Sequence, residues 1–328
     1  MVDSYVMGEV KRNSPEAPVP IVDVIDENIK LGGAANVALN LKSLGMKPIL
    51  ISVVGDDHDG KNLIKLLKEE NLESSGIIVD SSRKTTNKKR VIVDEKHLLR
   101  IDDEDTYELS VDIKKDLLNK INRYLEKTKI IIFQDYNKGV IDKEIIKNVV
   151  SHSSDKFISV DPKKNNFFHY KNVNLFKPNR KEISDAYKYQ NASIEDIIYL
   201  SNKIKDENNI ENIMITLSKD GLILNNGIAK HHKTKTDRIV DVSGAGDTVI
   251  SLATILFSED LPEKFIAEMC NLAGGMACMN SGVTAINLEE LIKNAERNNL
   301  DLYLWIKLIS NEYYIVWTTG CGKRDSEW

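Results

Sequence analysis

The chain has 328 residues, 41% hydrophobic and 29% charged, a balance that fits one large or two ordinary folded domains and excludes a disordered chain, a collagen-like repeat or a small disulfide scaffold. Lys+Arg 45 against Asp+Glu 50 leaves a net charge of −5, so the surface as a whole does not attract polyanions, and no nucleic-acid or membrane partner is expected. Cys270, Cys278 and Cys321 form no CxxC pair, the six histidines show no HExxH spacing, and the start MVDSYVMGEV has no apolar signal core; a cytoplasmic protein without a disulfide framework or zinc site is the expectation.

In chain order, residues 1–30 contain SPEAPVP (14–20), whose three prolines forbid a helix or a central strand, and then the apolar run 21–25. Two glycines, Gly32 and Gly33, open a helix with Val37, Leu41 and Leu44 inward. Residues 48–54 (PILISVV) read as a buried strand, residues 55–60 (GDDHDG) as the turn after it, and Leu63, Leu66 and Leu67 as the inner face of a helix. Residues 86–104 alternate partly and turn at 94–96, which reads as a β-hairpin with a polar face. Together with the N-terminal segment it forms a small sheet lying over the main domain. Ile113, Leu117, Ile121 and Leu125 then mark a helix. Residues 129–134, 157–161, 173–176 and 213–217 read as buried strands, and Ser193 with Asp196 is a capping-box start. A helical run covers 249–257, a short helix 301–308 and a strong strand 313–319 (YYIVWTT). Strands alternating with helices predict a mostly parallel α/β sheet with helices on both faces. Ligands bind such sheets beyond the strand carboxyl ends.

Several polar clusters fall at those ends. In DVSGAGDT (241–248), Gly244 and Gly246 allow a tight turn with consecutive N–H groups exposed before a helix, a setting suited to phosphate. Asp247 at that helix start is either an N-terminal cap or a base facing the phosphates. The stretch is neither a Walker A loop nor GxGxxG, since Val249 stands where a third glycine would be. In GGAAN, Asn36 can both donate to and accept from sugar hydroxyls, and a plain helix start is the alternative. DYNKG (135–139) and KPNRKE (177–182) each follow a predicted strand.

GGAANVA, GDDHDG, DYNKG, KPNRKE and DVSGAGDT, in this order over about residues 1–290, resemble the motifs of the ribokinase-like (PfkB-type) carbohydrate kinases. SPEAPVP and NKKRVIVDEKHLLRID resemble in particular the heptose 7-phosphate kinases among them. The resemblance implies a ribokinase-like α/β fold, a mostly parallel sheet flanked by helices with a small β-sheet lid at about 4–30 and 86–104. It implies ATP-dependent phosphorylation of D-glycero-β-D-manno-heptose 7-phosphate at O1, on the way to ADP-heptose. Asp247 would then be the base for the 1-OH, with Gly244, Ala245 and Gly246 as the anion hole. Asn179, Arg180, Lys181 and Glu182 would organise ATP and Mg²⁺, Thr216, Ser218 and Gly221 would form the nucleotide loop, and Asn271 would border the adenine. Asp3, Gly32, Gly33 and Asn36 would bind sugar hydroxyls, and Asp241 and Ser243 could hold K⁺. Lys88, Arg90, Arg100 and Lys138 are the candidates for the 7-phosphate, since guanidinium suits bidentate phosphate contact; plain hairpin surface charge is the alternative. Asn87 and Gln134 stand where the family has Thr and Ser. Lid pairing in the family implies a homodimer.

The family carries a central strand before the residues matching Met1 to Asp3, so two sheet edges are expected to be unpaired. Residues 313–321 resemble the first strand of an adenylyltransferase domain but stop before its FDxxHxGH motif. The division expected is therefore a kinase domain over 1–295 and a linker with a truncated stub over 296–328, without adenylyltransferase activity. The rival readings are a kinase of this fold for another sugar or sugar phosphate, and an inactive remnant.

Overall fold

The computed structural model describes residues 1–94, 96–234, 240–279 and 282–301. The strand expected over 313–319, nearly all of the helix expected over 301–308, and Cys321 lie outside the described residues.

Two long antiparallel strands open the chain, β1 (Val2–Asn13) and β2 (Pro20–Leu31), with the prolines at the turn between them and at the start of β2. They are followed by α1 (Ala34–Ser43), β3 (Ser52–Val54), α2 (His58–Glu69), β4 (Ile77–Val79) and the hairpin β5 (Asn87–Val93) and β6 (Lys96–Asp103). Next come α3 (Val111–Leu125), β7 (Ile130–Gln134), α4 (Lys143–Ser151), β8 (Phe157–Asp161) and β9 (Leu175–Phe176). The order continues with α5 (Arg180–Ala186), α6 (Ile194–Asn208), β10 (Asn212–Thr216), β11 (Leu222–Asn225) and β12 (Ala229–His232). Three helices complete the described chain, α7 (Ala245–Ser258), α8 (Glu263–Cys278) and α9 (Leu288–Arg297).

Six strands form the main sheet in the order β12-β11-β10-β9-β8-β7. β7 to β10 run parallel and β11 and β12 antiparallel at one edge. Every residue of β7 is buried, as a parallel strand covered on both faces requires. Amphipathic helices supply the cover. α3 starts where the Ser110 side chain accepts from the Ile113 N–H, and α6 where Ser193 and Asp196 cap each other reciprocally. α7 is buried along most of its length, so it runs through the core, not over its surface.

The second sheet has the order β2-β1-β5-β6. Tyr5 and Val6 of β1 are buried, whereas β6 is exposed over its whole length. This sheet is covered on one face only.

Two segments differ from their sequence reading. The strand expected over 48–54 shortens to Ser52–Val54, which pairs with β4 in a separate two-stranded sheet. Ile49 makes only an isolated bridge to Glu73. Among the described strands none lies between β3 and β7, and Ile51, Val53, Ile132 and Gln134 line a small cavity of about 90 Å³ there. Ile51, Val53 and Ile132 are nevertheless buried with Leu117, Ile121 and Ile145, so helix packing covers what strand pairing does not. GDDHDG is also more than a turn: the Asp57 carboxylate accepts from the Gly60 N–H at 2.7 Å, which puts Gly60 in the first turn of α2.

Candidate active site

A cleft of about 810 Å³ opens beyond the carboxyl ends of the parallel strands and at the start of α7. β7, β8 and β10 bring Gln134, Asp161 and Thr216 to it, the second sheet brings Asp3, Lys88, Arg90 and Arg100, and α7 brings Ala245 to Asp247.

Asp247 is one of three buried carboxylates of this cleft, with Asp3 and Asp161. The cap of α7 is Gly244, at φ +81, a left-handed conformation that glycine adopts without strain. Asp247 is thus the third residue inside the helix and not its cap, which closes one of the two readings left by the sequence. Its Oδ2 accepts from Asn36 Nδ2 at 2.8 Å. Its Oδ1 accepts from the Tyr136 hydroxyl at 2.7 Å and from Gln134 Nε2 at 3.2 Å. Burial raises the Asp247 pKa to about 6 against the opposing pull of the Asn36 and Tyr136 hydrogen bonds. The group is therefore ionised at neutral pH and still basic enough to take a proton.

Behind Asn36, Asn40 extends the network. Its amide donates to the Asn36 side-chain oxygen at 3.3 Å, and its own oxygen accepts from the Thr248 hydroxyl at 3.1 Å and the Ile286 N–H at 3.0 Å. Asn36 is buried, and its side chain holds the Asp247 carboxylate from the side of α1. Gly32 sits behind the wall: a Cβ there would stand 2.1 Å from Asp3 Oδ2. Gly33 and Asp3 do line the cleft.

Under the Gly244–Gly246 turn lies a charged group in which Lys177 opens the KPNRKE stretch and Asp161 and Lys163 have no role in the sequence reading. Lys177 Nζ pairs with Asp161 Oδ2 at 3.0 Å, both side chains being buried. Both come within 4 Å of the Cβ position of Gly246. Lys163 pairs with Asp161 and Glu182, and its ammonium lies 5.8 Å from the Tyr136 ring centre. The signal for these residues was available: Asp161 ends β8 and Lys177 follows β9, at the strand ends where such sites form.

On the side nearer β10, Asn179 and Glu182 cap each other, with the Asn179 side chain accepting from the Glu182 N–H at 2.9 Å and Glu182 from the Asn179 N–H at 2.8 Å. Arg180 pairs with Asp220 at 3.0 Å, and Lys181 with Asp185 at 2.6 Å along the exposed side of α5. Thr216, Ser218 and Gly221 line the cleft beside them. Asn271 of α8 lines it as well and donates to the His232 carbonyl at 3.1 Å.

Asp241 accepts from the Ser243 and Gly282 N–H groups, each at 2.9 Å. Burial alone would raise its pKa, but the donors from Ser243 and Gly282 outweigh that and hold it below the ordinary aspartate value, so it is a fixed negative charge.

The four candidate phosphate ligands are distributed unevenly. Lys88, Arg90 and Arg100 line the cleft, whereas Lys138 lines the smaller cavity beside it. Each already has an acidic partner: Lys88 pairs with Asp102 at 3.0 Å and Glu104 at 3.6 Å, Arg100 with Asp102 at 2.8 Å, Arg90 with Asp3 and Lys138 with Glu104.

Residues 2–290 match the family described as pfkB family carbohydrate kinase. The chain is 35% identical to the bifunctional protein HldE of Helicobacter pylori (strain G27) over 98% of its own length and 71% of that protein's. It is 33% identical to the bifunctional protein HldE of Sulfurimonas denitrificans, covering 98% of this chain and 70% of that one. Two solved structures share the fold at low identity. Phosphofructokinase-2 from Escherichia coli in complex with potassium superposes with a TM-score of 0.76 at 19% identity, covering 93% of this chain and 96% of that one. Arabidopsis thaliana ribokinase complexed with ribose and ATP gives 0.68 at 14%, covering 89% and 95%. With its ribokinase-like fold, its buried carboxylate behind a glycine turn and these relatives, the chain belongs to the PfkB family of carbohydrate kinases and is a sugar kinase.

Proposed function

We propose that this chain transfers the γ-phosphoryl group of ATP to O1 of D-glycero-β-D-manno-heptose 7-phosphate, giving the 1,7-bisphosphate used in making ADP-heptose. The observation that carries the reading is Asp247, a buried carboxylate titrating at about 6 directly behind the Gly244–Gly246 turn. Asp247 takes the proton of the 1-OH as O1 attacks the phosphorus. The N–H groups of the turn and the positive end of α7 stabilise the charge on the transferred group. Asn179, Arg180, Glu182, Thr216, Ser218, Gly221 and Asn271 form the ATP side of the cleft.

Among the described residues there is no group of three or more potential metal ligands. Glu182, with Asp161 and Asp220 also lining the cleft, fits a magnesium ion carried largely by phosphate oxygens and water. Such an ion would offset the phosphate charge. Asp241 and Ser243 beside the turn fit a potassium ion in the same electrostatic role. Lys88, Arg90 and Arg100 form the 7-phosphate site, in which the phosphate takes over from Asp102 and Asp3. The kinase domain covers 1–295, with the second sheet as its lid. The exposed face of that sheet, with Val24, Leu99 and Ile101, pairs two chains in a cytoplasmic homodimer. Because every cation at the phosphate site already has a carboxylate partner, a sugar or sugar phosphate of other shape is the second reading.

The test is ADP release by the 328-residue chain with ATP and Mg²⁺, comparing D-glycero-D-manno-heptose 7-phosphate with a panel of sugars and sugar phosphates. Turnover selective for the heptose phosphate is the expected result. Selective turnover of another sugar would establish the second reading, and no response to the heptose phosphate would overturn the first.

A further inference from the structure

The phosphoryl-transfer scheme leaves two side chains on Asp247 Oδ1 unused, Gln134 and Tyr136. Tyr136 follows β7, and its hydroxyl donates to Asp247 Oδ1 at 2.7 Å. Its ring carbon Cε2 stands 3.1 Å from the Cβ position of Gly33, so the ring walls the cleft where Gly33 lines it. Burial, with Asp247 and Asp161 nearby, raises the Tyr136 pKa well above that of a free phenol, and the hydroxyl stays a neutral donor.

A carboxylate offers about four lone-pair sites. At Asp247 three are taken before any substrate arrives, by Asn36 from α1, Gln134 from β7 and Tyr136 from the loop after it. One site remains for an incoming hydroxyl. Three further charges bear on the carboxylate: Asp161 on β8 and, opposing it, Lys177 after β9 and Lys163. Burial pushes the carboxyl toward its neutral form, and the hydrogen bonds from Asn36 and Tyr136 oppose that push and fix its orientation.

We propose that Tyr136 is a positioning residue for the phosphoryl-transfer base, holding Asp247 ionised and turned so that a single lone pair is open to the acceptor hydroxyl. The proposal rests on the sugar-kinase reading of Asp247. A phenylalanine ring would fill the same space beside Gly33 but could not donate, so the hydroxyl alone separates this role from simple packing.

The experiment is a carbon-13 NMR titration of the Asp247 carboxyl in the ligand-free chain, with the signal assigned by its loss in Asp247→Asn. Tyr136→Phe should move the titration upward by about one pH unit, the order expected for removing one hydrogen bond to a carboxylate. Gln134→Met, which removes the longer 3.2 Å bond to the same oxygen, should move it in the same direction by less. In initial-rate assays the acid limb of kcat for Tyr136→Phe should shift by the same amount. Turnover near pH 6 would then fall about five- to tenfold and recover above pH 8, with the KM for ATP unchanged. A carboxyl titration unmoved in both variants would overturn the proposal, as would a loss of turnover equal at all pH values. The titration needs no substrate, so a shift in a chain that phosphorylates no sugar would refute the kinase reading and leave the positioning of Asp247 standing.

Discussion

The two charged regions of the cleft are built by opposite rules. At its floor, Asp247 is ringed by neutral donors from Asn36, Gln134 and Tyr136, and its carboxylate is fixed before substrate enters. At its rim, Lys88, Arg90 and Arg100 are each matched with a carboxylate of the second sheet. Neutral partners leave the Asp247 carboxylate its charge. Charged partners leave the rim nearly neutral; the Arg90–Asp3 pair is buried there, whereas Arg100 is exposed and its pair with Asp102 contributes little to stability. The proposed function requires a rigid centre at the floor and ion pairs at the rim that an anion can displace.

The sharpest way to break the comparison is at the floor, where a charged pair is buried beneath the turn. Lys177→Met leaves Asp161 with Gln134 and the more distant Lys163 alone. It should lower unfolding stability by about 3 kcal/mol, read by urea denaturation. The cost of Asp247 itself is next in size. Its folded pKa of about 6 is raised above the ordinary aspartate value near 3.9, so the folded chain holds this proton more tightly than the unfolded chain. The stabilising contribution is full below pH 4 and is lost as pH rises through 6, amounting to about 2–3 kcal/mol by pH 7. Asp247→Asn should accordingly melt higher than wild type at pH 7.5, and the gap should close at pH 4.5 in thermal unfolding scans.

At the rim the expected effect is on binding, not stability. Replacing Lys88 and Arg100 together by Ala should raise the KM for the 7-phosphorylated sugar about tenfold or more while the KM for ATP stays within about twofold. Equal rises in both would remove the phosphate site from this rim. The outer face of the second sheet should respond least. Leu99→Ser with Ile101→Ser should leave stability within about 0.5 kcal/mol of wild type. Sedimentation should nevertheless show a shift from dimer to monomer.

Much of this was legible in the residues. Runs of Ile and Val marked β7, β8 and β10, the prolines at 14–20 fell at the turn between two long strands, and Gly244 with Gly246 marked the turn at the cleft. What escaped was set by contacts between distant parts of the chain. Asp247 had two readings because a polar residue near a helix start serves equally well as a cap. Only the left-handed Gly244 one turn earlier removes that alternative. Asn36 meets the Asp247 carboxylate because α1 packs against α7, and no local pattern encodes that contact. Tyr136 and Asp247 are 111 positions apart. The shortened β3 reflects pairing on one edge only, whereas its apolar run alone suggested a longer strand.

The most direct measurement is the steady-state rate of ATP-dependent phosphorylation by wild type and Asp247→Asn on the sugar that wild type turns over best, with ATP affinity measured in parallel by calorimetry. The account predicts unchanged ATP binding and a fall in turnover of at least about a hundredfold, the lower end for losing a positioned general base. Turnover within a few-fold of wild type would contradict it.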